Sequence, residues 1–408
     1  MGFLTHRVSL ICIIFIILCT FFAVFTFAKG QTPFQSFHGH TVRERRVPTP
    51  DGAVLSLIEL MGNENGPVIV LQPGLIETAA TLDQMADYYH TNGYKVIISQ
   101  ARTAGTKQYR SELSKTGRNG LKEVLMTDAL TAWRYVYKEI SKGQSFDVAG
   151  HSMGGMQIIA MLANPTTAKE ANSYIHSAAL LTAPHNFDNL PDFLVKLAKN
   201  MIHVFNYLQS KGVVLFDFHH NYFAKSHAIK ESGLIGKALT RSAERPLAYV
   251  MSKFMEEILT TSRFTTTREI RRLVRQEISI LPTELSMDFA DLAIKGGFPV
   301  EIDLANITTN LFILSAEHDQ LVKLATNAEM YGGVVNAKNL IWRTIQNTHH
   351  VDPVISDELS AYFLPVIARY MKNPELFSAQ EKKVATILTN KKLSKVECEQ
   401  ALKTSVVP

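Results

Sequence analysis

Phe146-Asp147-Val148-Ala149-Gly150-His151-Ser152-Met153-Gly154-Gly155 is the stretch on which the fold turns. FDVAG (146–150) reads as a short buried strand, and Met153 to Ala163 as a helix that Asn164-Pro165 stops. Between them lies Gly-x-Ser-x-Gly. A strand-to-helix turn this tight leaves no room for side chains two residues either side of the serine, hence the glycines. The turn holds the Ser152 hydroxyl above the sheet, and the helix N-terminus behind it favours developing negative charge. The plainer reading is a glycine-rich turn with an incidental serine. The strand before it, the helix after it and partners further along favour a nucleophile.

On both sides the chain keeps a strand–helix rhythm. RERRVPTPDGAVLSLIEL (43–60) reads as two strand-like runs joined at Pro50-Asp51-Gly52. VIVLQPG (68–74) reads as a buried strand, the stretch after Thr78 as a helix ending at Asn92-Gly93, and YKVIISQA (94–101) as the next strand. A long helix runs from about Gly120 to Lys142, and IHSAALLTAP (175–184) is a further strand. The rhythm stops from about Asn186 to Gly297, where the pattern is mostly helical. It resumes at NLFILSAEHD (310–319) and NLIWRTIQN (339–347) and ends in a helix after Pro353. The expectation is an α/β architecture: a mostly parallel sheet with helices on both faces and a helical cap inserted. The core is expected at 45–186 and 298–372, the cap at 187–297 and a lysine-rich tail at 373–408.

A serine hydroxyl needs a base, and the base needs an orienting acid; on this scaffold the order along the chain is serine, acid, histidine. Asp319 falls just beyond an expected strand end, where a parallel sheet gathers its ligands. Glu317 is a local competitor and Asp188 a distant one, and a turn-forming or helix-capping role is the plainer reading of Asp319. The base comes from the loop after NLIWRTIQN, which carries His349 and His350. His350 is preferred because His350-Val351-Asp352 resembles the H-x-D continuation of several lipases; His349 is the alternative. Oxyanion donors are backbone N–H groups, assigned to Met153, after the nucleophile, and Leu75, after the VIVLQPG strand.

Composition excludes other classes. Apolar residues make up 46% and charged residues 19% of the 408, enough for a sizeable core and unlike a disordered chain. A net charge of +5 without a basic block leaves no nucleic-acid footprint. Three cysteines, Cys12, Cys19 and Cys398, make no disulfide framework, and no zinc-type spacing occurs. His219-His220 lacks a third ligand. No metal or organic cofactor is implied.

Val8 to Ala28 is an uncharged apolar run, long enough at about 20 residues to cross a bilayer core as a helix. The favoured reading is an uncleaved signal anchor over residues 1–28, single-pass, followed by a linker at 29–44; secretion after cleavage at Ala28 is the alternative. Asn306-Ile307-Thr308 is a formal glycosylation acceptor.

Together these segments resemble the α/β-hydrolase superfamily over roughly Arg45 to Tyr370. Within it they are most similar to the branch with a GHSMGG elbow, which includes monoacylglycerol lipase-like and related esterase or serine-aminopeptidase-like hydrolases. Pro73-Gly74-Leu75 stands where that family has His-Gly-aromatic. Asn92-Gly93-Tyr94-Lys95-Val96-Ile97 matches its G-Y-x-V stretch. Gln100-Ala101-Arg102-Thr103-Ala104-Gly105 matches D-x-R-G-x-G only in part, with Gln100 for aspartate and Thr103 for glycine. The resemblance implies a serine hydrolase with an acyl-enzyme intermediate. The aromatics Phe205, Tyr207, Phe216, Phe218, Tyr222 and Phe223 of the expected cap, the apolar N-terminus and the basic charge bias together favour a lipid or long-chain ester as substrate, although the plainer reading of those aromatics is the cap's own core. The amphipathic basic stretch Thr267–Arg275 reads more readily as a solvated face than as a lipid-binding one. A peptidase, a thioesterase and a non-catalytic scaffold are the alternatives.

Overall fold

The computed structural model describes residues 37–75, 77–102, 104–105, 109–210, 215–216 and 281–377. The apolar run 8–28, His219-His220, the stretch 267–275, Phe218, Tyr222, Phe223 and the tail beyond 377 lie outside them. Among the described residues no helix is long and apolar enough to cross a membrane.

Eight strands form one sheet: β1 (Val42–Pro48), β2 (Val54–Leu60), β3 (Val68–Gln72), β4 (Lys95–Gln100), β5 (Phe146–His151), β6 (Ile175–Leu181), β9 (Asn310–Ala316) and β10 (Leu340–Ile345). The two strands between, β7 (Leu215–Phe216) and β8 (Leu281–Pro282), pair only with each other. The order across the large sheet is β1-β2-β4-β3-β5-β6-β9-β10. β1 and β4 each pair antiparallel with β2, and every other pairing within this sheet is parallel. β1 begins at Val42, three residues before the expected core boundary, because Val42 to Arg45 pair with Leu60 to Leu57. The hairpin closes through Gly52, whose φ of +86° suits glycine.

The continuous apolar strands still obey a period of two. Ile69 and Leu71 of β3, Val96 and Ile98 of β4, and Phe312 and Leu314 of β9 enter the core on one face. Val68, Val70, Ile97, Leu311 and Ile313 enter the core on the other. The first face is covered by α1 (Asp83–Thr91) and by a C-terminal helix that Ser356 splits and caps, α8 (Asp352–Ile355) and α9 (Asp357–Lys372). The second carries α2 (Ala129–Tyr135), extended at both ends by π-helical turns, with α3 (Met153–Ala163), α4 (Ala168–Tyr174) and α7 (Leu324–Gly333). Each fully buried Leu, Ile or Phe contributes roughly 1.5–3 kcal/mol by leaving water.

The ends of the inserted segment meet. Phe187 N–H donates to Gly297 O at 3.1 Å, and Gly297 N–H to Asp188 Oδ1 at 2.6 Å. Within the segment, α5 (Asp192–Ser210) packs on α6 (Thr283–Lys295). A third apolar cluster, holding Leu285 and Leu292 of α6 with Met153, Met156 and Leu125, joins this base to the sheet's carboxyl edge. The Asn306 side-chain amide donates to Ala163 O at 3.1 Å, so a glycan on it would displace a tertiary contact.

Candidate active site

Ser152 follows β5 directly and begins α3 with φ +49° and ψ −116°, a sparsely populated region costing about 1–3 kcal/mol for a residue with a side chain. A Cβ on Gly150 would lie 2.5 Å from the Gly154 backbone, and one on Gly154 would lie 2.1 Å from Gln72 O. Main chain crowds the turn from both sides. A serine that caps a helix ordinarily accepts a bond from that helix's own N–H groups. Ser152 makes no such cap bond. Its Oγ lies instead 2.8 Å from His350 Nε2.

The chain of contacts continues from that ring. His350 Nδ1 lies 2.8 Å from Asp319 Oδ2, and both side chains are almost wholly buried. Asp319 sits in the turn after β9, and His350 in the loop after β10. The parallel pairing of β5, β6, β9 and β10 therefore delivers all three groups to the same sheet edge. Asp319 also has the turn-forming role, because Oδ1 accepts the N–H groups of Leu321 and Val322 at 2.8 Å each.

The competing acids have other partners. Glu317 Oε2 accepts Asn347 N–H at 2.8 Å, pinning the loop that leads to the histidines. Asp188 clamps the base of the insertion, as described above. His349 is turned to His318, with ring centroids 5.7 Å apart, and burial lowers its proton affinity. The H-x-D feature has a local cause: Asp352, fully buried, accepts His349 N–H at 2.6 Å through Oδ2.

Leu75 and Met153 pack in the same apolar cluster at the sheet edge. Met153 opens α3, so its N–H has no intrahelical acceptor. The Leu75 and Met153 N–H groups make no hydrogen bond within the described residues. Gln100, the departure from the family's aspartate, accepts Ala79 N–H through Oε1 and donates through Nε2 to Tyr109 O, both at 3.0 Å. An ionised aspartate has no N–H for the second bond. The Arg102 beyond it is buried against Asp128 and Asp51.

Sequence reasoning passed over three buried residues: His151 and Thr182, which donate to the His350 carbonyl, and Glu77, which lies 2.7 Å from His151. The only sequence signals were a charged residue two positions after Leu75 and a histidine within the elbow. Among the described residues no group of three or more His, Cys, Asp or Glu side chains is arranged to hold a metal.

A sheet of this order with a serine at the β5–α3 elbow defines an α/β-hydrolase. Residues 63–350 match the family described as serine aminopeptidase, S33, and the chain belongs to that family; it is a serine hydrolase. Among solved structures, the alpha/beta hydrolase GrgF from Penicillium sp. sh18 is similar over 81% of this chain and 98% of its own, at 14% identity and a TM-score of 0.52. DcsB, solved with a substrate analogue, is similar over 81% and 99% at 12% identity and a TM-score of 0.52. The Pyrococcus furiosus esterase Pf2001 aligns over 84% and 96% at 15% identity and a TM-score of 0.46. At such identities the likeness concerns the fold alone. No curated protein sequence matches the chain.

Proposed function

We propose that the protein hydrolyses carboxylic esters, lipid-like ones by preference, with Ser152 as nucleophile, His350 as base and Asp319 as orienting acid. The observation that carries this reading is the unbroken chain Ser152 Oγ–His350–Asp319, with 2.8 Å at each step. Imidazole Nε2 takes the Ser152 proton as Oγ attacks the ester carbonyl, and Asp319 holds the imidazolium that forms. The N–H groups of Leu75 and Met153 receive the tetrahedral oxyanion. His350 then returns the proton to the leaving alkoxide, and water, deprotonated by the same ring, frees the acyl group from Ser152.

The lipid preference rests on the sequence: the run Val8–Ala28 as a membrane anchor and the aromatic-rich segment 187–297 as a cap, in the manner of the monoacylglycerol lipase-like branch. The family's description as an aminopeptidase favours a second reading, in which the same serine attacks an amide. A fluorophosphonate that labels the wild type stoichiometrically, and leaves Ser152→Ala unlabelled, is the expected first result. An unreactive but folded protein would instead indicate a scaffold. p-Nitrophenyl esters of increasing chain length, assayed beside aminoacyl amides, then separate the two readings. Rates rising with chain length and no amide turnover are expected; preferred cleavage of the amides would overturn the ester assignment.

A further inference from the structure

A second carboxylate–imidazole pair stands behind the first. His151, the last residue of β5, is wholly buried, and its Nδ1 lies 2.7 Å from Glu77 Oε1 in the loop after β3, off the line of a well-formed hydrogen bond. Its other nitrogen, Nε2, lies 2.9 Å from the main-chain carbonyl of His350. The two imidazole rings, 151 and 350, have centroids 5.2 Å apart. Glu77 Oε2 accepts the Gly74 N–H at 2.5 Å, beside the Leu75 amide assigned to the oxyanion. The His350 carbonyl has a second donor, Thr182 Oγ1 at 3.0 Å. Thr182 follows β6 with φ +45°, a strained conformation for a β-branched residue.

The protons can be counted. A carbonyl offers only lone pairs, so His151 Nε2 carries hydrogen. At 2.7 Å in a dry interior, a bare lone pair on Nδ1 and a bare carboxylate oxygen would repel, so the pair carries a second proton. The pair is then neutral overall, whether as imidazolium with carboxylate or as imidazole with acid. Burial alone would lower the proton affinity of His151; Glu77, the His350 carbonyl and Asp319 outweigh it and raise that affinity.

We propose that Glu77 and His151, with Thr182, are positioning residues that lock the His350 main chain and the Gly74–Leu75 loop into one register about Ser152. The inference rests on the serine-hydrolase mechanism given above and extends it to residues that touch no reacting atom. Three strand ends, β3, β5 and β6, thereby fix the position of a base that arrives from a fourth, β10. Without the pair, the base and the oxyanion donors are free to drift independently, and a misplacement of about 1 Å costs on the order of 10²-fold in rate.

The test uses the full chain and p-nitrophenyl butyrate, with kcat and KM measured across pH per folded protein, folding being followed by circular dichroism and melting. Glu77→Ala is expected to lower kcat by roughly 10–100-fold with KM little changed. Glu77→Gln has an oxygen for Gly74 N–H and an N–H for His151 Nδ1, so its plateau rate recovers. Thr182→Val lowers kcat, and Thr182→Ser, which keeps the hydroxyl, restores it. Folded Glu77→Ala and Thr182→Val proteins that both turn over at the wild-type kcat would overturn the inference. If Glu77→Ala does not fold, the Thr182 pair decides alone: a loss in Val regained in Ser supports it, and no loss in Val overturns it. Ser152→Ala is the control for the underlying mechanism; activity surviving there means that the mechanism itself, and not only this pair, is wrong.

Discussion

Asp319 and His350 are separated by 31 positions in sequence and by 2.8 Å in space, and the carboxylate serves two masters: Oδ2 meets the imidazole while Oδ1 caps the turn at Leu321 and Val322. This division makes the roles separable by substitution. Asp319→Asn keeps an oxygen for the two N–H groups and presents an amide N–H to Nδ1. That N–H forces the imidazole into the tautomer that points a proton at Ser152. The expected result is a kcat reduced on the order of 10⁴-fold with little change in melting temperature, checked by ester hydrolysis beside calorimetry.

The two adjacent histidines should behave oppositely. His350→Ala removes the ring that contacts Ser152 and should lower kcat by on the order of 10⁴–10⁶-fold. His349→Ala, whose ring faces His318, should hydrolyse ester close to the wild-type rate. Steady-state rates on one short-chain ester decide between them.

Gly154→Ala tests the elbow through its packing. The new Cβ would lie 2.1 Å from Gln72 O and 2.8 Å from Pro73 O, both backbone atoms that have no rotamer in which to escape. Overpacking of this kind costs about 1–3 kcal/mol. The strand end that must move leads into the Leu75 loop. Fluorophosphonate labelling of Ser152 should therefore slow together with the fall in melting temperature.

Acid sensitivity should be traceable at Glu59, which Arg45 on β1 reaches at 2.9 and 2.7 Å and Lys95 on β4 at 3.3 Å. Burial alone would raise its proton affinity; Arg45 and Lys95 outweigh it and hold the carboxyl below its ordinary range. A folded-state value depressed below the unfolded one, about 4.3, stabilises the fold above that pH and is lost as pH falls through the folded value. Glu59→Gln should thus be less stable than wild type at pH 7, with the gap narrowing as pH drops below about 4.3. Urea unfolding of both proteins at several pH values measures this.

Much of this architecture was legible in the chain. The elbow's glycines, the helix stop at Asn164-Pro165 and the hairpin at Pro50-Asp51-Gly52 are local steric statements, and local sterics are encoded within a few residues. The H-x-D pattern His350-Val351-Asp352 favoured His350 over His349, but the contact of its ring with Ser152 is visible only in the folded chain. Less legible were α4 and α7, short helices without a strong apolar stripe, and the π-helical turns flanking α2. Glu77 and Thr182 were invisible for a different reason. In the sequence each is an ordinary polar residue, and each acquires meaning only from a partner 74 or 168 positions away.

The sequence by itself determined most of the strands and the longer helices, the order in which Ser152, Asp319 and His350 appear, and the tight turn at Ser152. All of that follows from steric preference and apolar periodicity acting over short distances. Only the tertiary structure decided which imidazole meets the serine, which of three carboxylates meets the imidazole, and that a second buried pair backs the first. Those choices depend on register across the parallel strands, where a shift of one residue turns a side chain to the opposite face.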